Sequence, residues 1–355
     1  MYHYVNEYAG AITLSRARFE EHCRVLAENG WRGVGLDEAE AFLVNGEPLP
    51  EKSVLFTFDD GFLDNYLYAM PLLHKYGHKG VMFAVSGRLE EGGAPRVPLS
   101  DVMGGTVPDM QEVLYPVGQD GAGNRIRKDV FCNHAEARAM EESGVMAVAS
   151  HTRGHYGVYT GPEFTKFLRP GKQLRTFYRT EEPVIWGLPA FKVKYGLVFR
   201  GFIPDPEMVE AIKNMVPQDD AGAAAFFADE NNVAELTRLV ESFGETPGRF
   251  ETDEERSRRM RREIGQGKSD LETVLGHGLK TLCWPWGKYS PEARTIAQEA
   301  GFSLFLTTQE GVNPPAQPLA VHRFKGKDKS GAWLLNRSRL YSRPWLGALY
   351  AKLRI

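Results

Sequence analysis

Short apolar runs that end at polar residues recur along this chain of 355 residues. The run Val54–Phe58 is followed by Asp59, Asp60 and Gly61. A stretch with Leu67, Met70 and Leu73 on one helical face comes next, and the apolar run Val81–Val85 follows Gly80. A strand, a helix and a second strand in this order predict a β-α-β unit with parallel strands.

Further elements are predicted in the same way. The pattern indicates a helix over 15–29 with Ser15 as its N-cap, a helix over 134–143, a strand at 146–149, a charged helix over 253–276, and strands at 280–283 and 319–321. Residues 91–128 are rich in glycine and proline and predict a long loop. Residues 157–250 carry many aromatic side chains, Phe177 and Tyr178 among them. They predict an ordered insertion, with strands around 183–200 and a helix around 230–243.

Two groups of polar residues at strand ends suggest a metal site. Adjacent side chains on an extended strand point in opposite directions, so Asp59 and Asp60 are expected to have different partners. His151 and His155 follow the strand at 146–149, and a turn there would let both imidazoles face one ion. Zinc accepts imidazole and carboxylate ligands, and catalytic zinc sites keep one position open for water. Asp60, His151 and His155 are therefore the candidate ligands, against the alternative that both histidines are ordinary loop residues.

Three segments resemble motifs of one family. Thr57-Phe58-Asp59-Asp60-Gly61 and Ser150-His151-Thr152-Arg153-Gly154-His155 resemble the first two motifs of the NodB-type polysaccharide deacetylases, carbohydrate esterase family four. Cys283-Trp284-Pro285-Trp286-Gly287 resembles the third motif, in the form found in the biofilm poly-N-acetylglucosamine deacetylase branch. The resemblance covers residues 1–90, 130–156 and 255–325, and it does not extend over 157–250 or beyond about 330.

The resemblance implies a fold and a set of roles. The expected fold is α/β, a distorted (β/α) barrel of the polysaccharide deacetylase type with a large insertion. The expected catalytic residues are Asp59 as general base and His322 as the acid that protonates the leaving amine. The expected cofactor is one divalent metal, zinc by default, with cobalt or nickel as alternatives. In the family the backbone N–H after the motif-three proline helps to hold the oxyanion, and that residue is Trp286 here.

The third motif departs from the common pattern of the family. Many members carry an arginine before the proline-containing turn that pairs with the catalytic aspartate, whereas this chain has Leu282, Cys283 and Trp284 there. Arg323 and Arg153 are the alternatives for the partner of Asp59. The expected substrate-binding residues are Trp284, Pro285, Trp286 and Arg323, with core packing as the alternative for both tryptophans. His3 is a further candidate, with a structural, substrate-lining or catalytic role.

Composition excludes several classes of protein. Lys and Arg total 43 and Asp and Glu total 46, so the net charge of −3 indicates no general attraction to nucleic acid. The basic residues of the helix at 253–276 alternate with acidic ones and are expected to form a solvated face. Three widely separated cysteines do not indicate a disulfide framework and suit a reducing compartment. No signal peptide is recognised at the start of the sequence, so a cytoplasmic location, with association to the inner membrane as an option, is the expectation.

The predicted organisation has three parts. Residues 1–156 and 251–330 form the deacetylase barrel, 157–250 form the ordered insertion, and 331–355 form a basic, aromatic C-terminal tail. The tail either packs on the barrel or lies on a membrane surface, because basic residues mixed with Trp, Tyr and Leu suit an interfacial helix. The expected function is a metal-dependent hydrolase that removes an N-acetyl group from an amino sugar in a polysaccharide or lipid-linked glycan. The alternatives are an O-acetyl esterase or non-sugar amidase with the same site, and a non-catalytic glycan-binding protein.

Overall fold

A computed structural model of the chain describes residues 1–7, 10–108, 110, 130–170 and 184–352. Parts of the expected loop, insertion and tail, including Phe177 and Tyr178, lie outside these residues. The described strands are β1 (Tyr4–Val5), β2 (Thr13–Leu14), β3 (Arg32–Gly33), β4 (Ser53–Val54), β5 (Phe56–Asp60), β6 (Gly80–Ala84), β7 (Met146–Ser150), β8 (Gly157–Phe167), β9 (Pro189–Tyr195), β10 (Phe202–Pro204), β11 (Gly248–Phe250), β12 (Thr281–Cys283) and β13 (Leu304–Leu306).

The described helices connect and cover these strands. They are α1 (Arg16–Glu28), α2 (Leu36–Glu40), α3 (Met70–Lys75), α4 (Leu99–Met103), α5 (His134–Glu142), α6 (Pro206–Met215), α7 (Asp220–Ala228), α8 (Glu230–Ser242), α9 (Asp253–Arg261), α10 (Gly267–Leu275), α11 (Pro291–Glu299), α12 (Gly331–Tyr341) and α13 (Pro344–Lys352). Single π-helical turns extend α2, precede α3 and join α9 to α10. The predicted N-cap of the first helix is confirmed, because the Ser15 hydroxyl accepts from the Arg18 N–H at 3.2 Å.

A five-stranded parallel sheet forms the centre of the molecule. Its order is β13-β12-β7-β6-β5, and every neighbouring pair is parallel. A bridge from Tyr2 to Phe58 extends one edge, and a bridge from Val321 to Leu306 extends the other. The sheet curls into a half-barrel, so the predicted distorted (β/α) barrel is confirmed in this open form. The predicted strand at 319–321 is wrong, because Pro318–Ala320 form a 3₁₀ turn and only Val321 makes the bridge.

Both faces of this sheet are buried. In β6, Met82 and Ala84 belong to the core between the sheet and the surrounding helices, whereas Val81 and Phe83 belong to a cluster inside the half-barrel. Ala39 of α2 and Leu43 of the adjoining π turn pack into the inner cluster and fill part of the barrel interior. Burial on both faces explains why the strand sequences are continuous apolar runs instead of alternating ones.

Residues 184–250 and the preceding β8 build a second core. β8 pairs with β9 and β10 pairs with β11, both antiparallel. The buried side chains of this core include Trp186, Phe191, Phe202, Met208, Ile212 and Leu236. The predicted strand and the predicted helix near 230–243 are confirmed as β9 and α8, whereas sequence reasoning missed α6 and α7. Helix α7 is apolar on nearly every side (Ala-Gly-Ala-Ala-Ala-Phe-Phe-Ala), so it has no helical periodicity to detect.

The C-terminal segment divides at Ser342. Helix α12 packs on α1, with Leu334 and Leu335 in the main core and the Gly331 N–H donating to Glu21 at 2.8 Å. A Cβ at Gly331 would come within 2.6 Å of Val25, so glycine permits this close approach. Helix α13 instead exposes Trp345 and Leu349, which are 70% and 54% accessible. No helix in the described part of the chain has the length and apolar character that crossing a bilayer requires.

His78 makes the fold sensitive to acid. The Gly33 N–H donates to Nδ1 of His78 at 2.9 Å, and Nε2 lies 2.9 Å from the Cys23 carbonyl oxygen, so the buried ring must be neutral with its proton on Nε2. Burial lowers the pKa of His78, and the Cys23 carbonyl opposes this in part. A folded-state pKa below the unfolded value of about 6.5 means that protonation favours unfolding.

We therefore expect the stabilisation from a neutral His78 to be present above about pH 6.5 and to decline as the pH falls. The free energy of unfolding, measured with denaturant between pH 7.5 and 5, should fall more steeply in the unmodified protein than in His78→Gln. Gln cannot gain a proton. The free energy of unfolding of that variant should therefore be lower at pH 7.5 but should change less with pH. Identical slopes for the two proteins would contradict this role.

Candidate metal and catalytic site

The Asp59–Asp60 pair lies at the carboxyl end of β5, where parallel-sheet enzymes place their reactive groups. Both side chains are buried, with 2% and 3% exposure. The backbone of Asp60 has a φ of +81°, and Gly61 continues with +87°. This left-handed turn ends the strand alternation at Asp60. As a result both carboxylates approach His151, although the sequence pattern predicts opposite directions for them.

The histidine loop after β7 is also built from unusual backbone. Thr152 and His155 have φ values of +68° and +54°, so the two imidazoles converge without the helical start that their spacing allows. The loop carbonyl oxygens of Thr152, Arg153 and Gly154 accept from Ser86, Gly87 and Arg88, respectively, over distances of 2.8–3.1 Å. These bonds fix the loop against the end of β6.

A supporting helix holds the other side of this loop. The Gly154 N–H donates to the carboxylate of Glu263 at 3.0 Å, and the Arg153 N–H donates to the Glu263 carbonyl at 2.9 Å. One turn later, a Cβ at Gly267 would lie 2.6 Å from the Arg153 nitrogen, so only glycine permits this backbone contact. Sequence reasoning missed Glu263 and Gly267, because their contacts join positions more than a hundred residues apart.

The structure brings the three predicted ligands together. Nε2 of His151 and Nε2 of His155 lie 3.6 and 3.7 Å from Oδ1 of Asp60. Nδ1 of His151 lies 2.7 Å from the Cys283 carbonyl oxygen. Since a carbonyl only accepts, Nδ1 carries the proton and the lone pair of Nε2 points toward Asp60. Two imidazole nitrogens and one carboxylate oxygen form a donor set that suits a catalytic zinc-type ion.

The pKa values of these residues are consistent with metal binding. Burial lowers the pKa of His151 to about 4 and also lowers that of His155, so both rings are neutral, which is the form that binds metal. Burial, followed by the neighbouring Asp59, raises the pKa of Asp60 to about 7. Ionisation of Asp60 in this buried position costs free energy unless a cation is nearby. This cost is consistent with a site completed by a divalent ion.

Arg323 resolves the question of what orients Asp59. Its Nη1 and Nη2 donate to the two carboxylate oxygens of Asp59 at 2.7 and 2.9 Å. Burial alone would raise the pKa of Asp59, but the charge of Arg323 holds that pKa well below its usual value. Arg153, the other sequence candidate, lies 3.4 Å from Asp270 instead.

Arg323 is therefore placed as the partner of Asp59, and its assignment to substrate binding stays a prediction. The side chain is buried, and its remaining donors reach the Thr307 carbonyl, the Thr57 hydroxyl and the Cys283 sulfur at 2.8, 3.1 and 2.9 Å. Asp59, His151 and Cys283 also offer atoms close enough together to hold a metal. That second set suits an ion less well, because Arg323 already occupies both oxygens of Asp59 and burial raises the pKa of the Cys283 thiol.

The third motif contributes one partly buried ring to the site. Trp284 was expected to contact substrate, but it is fully buried and stacks on Tyr289 and Phe305, with ring centroids 4.7 and 5.4 Å away. Pro285 is buried as well, so neither residue is placed to contact a substrate. Trp286 has a φ of +54° and turns its ring toward His155, at a centroid distance of 4.1 Å. On the other side, the ring of Trp286 lies 5.3 Å from that of Tyr195 in β9.

Two histidines stay candidates for the catalytic acid. The His322 backbone is held by Asn313, and its ring lies against Gly311. Burial lowers the pKa of His322, and a hydrogen bond with the Gln309 backbone opposes this in part. Burial lowers the pKa of His3 to about 4, and Asp59, Arg323 and His151 all influence it. His3 therefore shares the electrostatic environment of the site, whereas the assignment of His322 stays a prediction.

Strained backbone is concentrated at this site. Of the six non-glycine residues with positive φ in the described ranges, Asp60, Thr152, His155 and Trp286 belong to the three motifs. Such conformations cost on the order of 1–3 kcal/mol each and persist where surrounding contacts enforce them. Their clustering indicates that the fold maintains this geometry for a functional reason.

Comparison with known proteins agrees with the sequence motifs. Residues 46–183 match the family model described as polysaccharide deacetylase. YxkH of Bacillus subtilis is 38% identical over 85 residues, which are 24% of this chain and 30% of that protein. The poly-beta-1,6-N-acetyl-D-glucosamine N-deacetylase of Escherichia coli K12 is 25% identical over 148 residues, 41% of this chain and 19% of the relative. The chain thus spans less than a third of either relative.

Solved structures share the fold. A de-N-acetylase from Aggregatibacter actinomycetemcomitans has a TM-score of 0.60 at 18% identity, covering 95% of this chain and 97% of that one. IcaB from Ammonifex degensii has a TM-score of 0.54 at 20% identity, covering 95% and 94%. The resemblance inferred from the motifs is confirmed over residues 46–183, which match the polysaccharide deacetylase model.

The support from Glu263 can be tested through metal affinity. Glu263→Ala removes the acceptor of the Gly154 N–H and should loosen the histidine loop without removing a ligand. Loss of an outer-shell partner typically costs about 10–100-fold in metal affinity. Titration with Zn²⁺ against a chromogenic chelator measures this change. Glu299→Ala, which removes a half-exposed carboxylate bound to Arg261, is the matched control and should bind Zn²⁺ normally. Equal affinity in both variants would contradict the support role.

Proposed function

We propose that the chain is a metal-dependent hydrolase that removes the N-acetyl group from an acetylated amino sugar in a polysaccharide or lipid-linked glycan. The observation that carries this proposal is the position of the ionised Asp59 beside the Asp60–His151–His155 donor set. A carboxylate held by an arginine next to a three-ligand site supplies a base and a metal position in one buried cleft. The polysaccharide deacetylase match over residues 46–183 supports this interpretation.

Asp60, His151 and His155 would hold the ion, with zinc as the default and cobalt or nickel as alternatives. A bound ion of this kind lowers the pKa of a water ligand and polarises an amide carbonyl. Asp59 accepts the proton of the attacking water, and Arg323 keeps this carboxylate ionised and oriented. The backbone N–H of Trp286 is the proposed donor to the oxyanion. His3 or His322 would return a proton to the departing amine, leaving acetate and a free amino sugar.

The different roles proposed for Asp59 and Asp60 provide a test of this function. Asp59→Asn should keep the metal and lose about 10²–10⁴-fold in acetate release, the usual contribution of a general base. Asp60→Asn should lose the metal itself. Elemental analysis and acetate release from N-acetylglucosamine oligomers measure the two effects. Equal metal loss in both variants would contradict the assignment, and the same assay on His3→Ala and His322→Ala identifies the acid.

The same assays of acetate release and metal content distinguish two other functions. Faster acetate release from O-acetylated sugars or from non-sugar amides would indicate an esterase or amidase that uses the same residues. Glycan binding without any acetate release, in protein that contains metal, would indicate a binding protein. Asp59 and Asp60 both lie close to His151, and His155 lies close to Asp60, and this grouping favours an enzyme.

The substrate wall is proposed to include the insertion. Trp286 lies between His155 and Tyr195, so a row of rings extends from the donor set onto β9. Aromatic faces pack on the C–H surface of sugar rings, and this row has the position to receive a sugar bound near the metal. The insertion thereby contributes a residue to the cleft, and a specificity role for residues 157–250 is the corresponding proposal.

Tyr195→Ala should raise KM for N-acetylglucosamine oligomers by about 2–10-fold, the equivalent of one aromatic contact. Metal content and the hydrolysis of p-nitrophenyl acetate, a substrate too small to reach β9, should change little. Phe250→Ala removes an exposed ring elsewhere in the insertion and is the control. A loss of small-substrate hydrolysis equal to the loss on oligomers would show that Tyr195 supports the fold instead of the substrate.

A cytoplasmic location at the inner membrane surface is the accompanying proposal. All three cysteines are buried and free, which suits a reducing compartment. Trp345 and Leu349 project from α13 near basic residues, as in helices that lie on anionic lipid. The double variant Trp345→Ser/Leu349→Ser should float less with phosphatidylglycerol vesicles at low salt, where attraction is strongest. Leu319→Ser, which changes an exposed leucine elsewhere, should float normally. Full-length protein that never floats would remove the membrane contact.

A further inference from the structure

His3 lies at a point where the N-terminal segment changes its partner strand. Before it, Tyr2 bridges to β5, and the Asp59 N–H donates to the Tyr2 carbonyl at 3.0 Å. After it, β1 pairs with β2, and the Tyr4 N–H donates to the Ile12 carbonyl at 3.3 Å. His3 itself belongs to neither pairing, so strand pairing does not hold its backbone.

The carbonyl of His3 is held by a side chain instead. Nδ2 of Asn65 donates to this carbonyl oxygen at 2.8 Å. Within the described part of the chain, the His3 imidazole makes no hydrogen bond of its own. The position of the ring therefore depends on packing and on the backbone that carries it. Asn65 supplies the hydrogen bond that fixes this backbone at His3.

Asp64 holds the rest of the segment. Its Oδ2 accepts from the Val5 N–H at 2.9 Å and from Nδ2 of Asn6 at 2.7 Å, and its Oδ1 accepts from Nδ2 of Asn65 at 2.9 Å. All three partners are donors, so the ionised carboxylate is the form that fits them. Burial raises the pKa of Asp64 to about 7, and the donors oppose this shift. The fold thus keeps a carboxylate that is costly to bury at this place.

The segment that holds His3 is continuous with the strand that carries Asp59. Asp64 and Asn65 begin the helical segment that follows β5, and both side chains are fully buried. One stretch of chain therefore fixes Asp59 directly and His3 through hydrogen bonds. The two groups influence each other, because burial lowers the pKa of His3 to about 4 and the charge of Asp59 opposes this.

We propose that Asp64 and Asn65 are positioning residues, which fix the His3 imidazole relative to Asp59 through the backbone of residues 3–6. This inference rests on the proposed function, in which His3 is one of two candidates for the group that returns a proton to the departing amine. A proton donor must lie within hydrogen-bond reach of the atom that it protonates. Misplacement by about 1 Å can lower a rate by about 100-fold.

The position of His3 can be measured without a substrate. In protein that contains histidine labelled with ¹³C at Cε1, the NMR signal that disappears in His3→Ala belongs to His3. Asn65→Ala should shift or broaden this signal, because the His3 carbonyl loses its donor. Asn133→Ala is the matched control, since Asn133 is also buried and its Nδ2 donates to the Ala94 carbonyl at 3.0 Å. An unchanged His3 signal in folded Asn65→Ala would overturn the proposal.

Acetate release from N-acetylglucosamine oligomers shows whether this position affects the reaction. Asn65→Ala should lower kcat by about 10–100-fold, whereas KM and metal content should change little. The double variant Asn65→Ala/His3→Ala should be no slower than His3→Ala alone, because Asn65 acts through His3. Losses that multiply in the double variant would contradict this. Asp64→Asn should lower kcat in the same way, because its amide would place a donor against another donor. If Asp64→Asn does not fold, Asn65→Ala decides.

The two measurements separate this proposal from the proposed function. If the unmodified protein releases no acetate, the proposed function fails, and the NMR signal of His3 still shows whether Asn65 fixes its position. If His3→Ala keeps a normal kcat, the positioning has no part in the reaction and the proposal fails, while the roles of Asp59 and Asp60 are unaffected. A loss of kcat in Asn133→Ala equal to that in Asn65→Ala would show general destabilisation and would also reject positioning.

Discussion

The ion pair between Asp59 and Arg323 is the interaction on which the site and the barrel both depend. Asp59 lies on β5 at one edge of the curled sheet, and Arg323 follows Val321, which bridges to β13 at the other edge. The pair therefore joins the two edges of the half-barrel across 264 positions of sequence. Beside it, the Gly326 N–H donates to the Met1 carbonyl at 2.8 Å and closes the same gap.

Such a pair is costly to bury and more costly to break. Desolvation of both charges offsets most of their attraction, whereas removal of one partner from a buried pair typically costs about 3–5 kcal/mol. The bidentate geometry, the Thr57 hydroxyl and the Thr307 carbonyl satisfy most of the donors of Arg323 and so reduce the desolvation cost. The fold thus retains an ionised carboxylate in its interior, paired with one arginine, and a general base requires an ionised form.

Much of this architecture could be predicted from the sequence, because it depends on local patterns. Apolar runs that end at Asp59–Asp60 and at Ser150–His151 predicted parallel strands with polar ends, and β5 and β7 follow that pattern. The convergence of Asp60, His151 and His155 depends on left-handed backbone at non-glycine residues, which propensity does not indicate. The motifs identified the candidate ligands, whereas the geometry that joins them comes from Glu263, Gly267 and the end of β6.

The errors concern the direction of single side chains and contacts distant in sequence. Cys283 and Trp284 are adjacent, so strand alternation sends one toward Asp59 and the other into the core. The sequence identified both as parts of a motif but did not show which of them faces the site. The same holds for His322 and Arg323, of which only Arg323 reaches Asp59. In both pairs the two candidates are adjacent in sequence. Only the register of β12 and of Val321 in the sheet shows which of the two side chains faces Asp59.

The insertion contacts the candidate site separately from the barrel. The loop with the candidate ligands His151 and His155 is fixed from the barrel side, by the end of β6 and by the helix that contains Glu263. Tyr195 reaches the site from the opposite side, on a hairpin whose own core is separate from that of the barrel. Tyr195 is thus the point at which the insertion meets the candidate site, and the proposed role of the insertion in substrate choice depends on that contact.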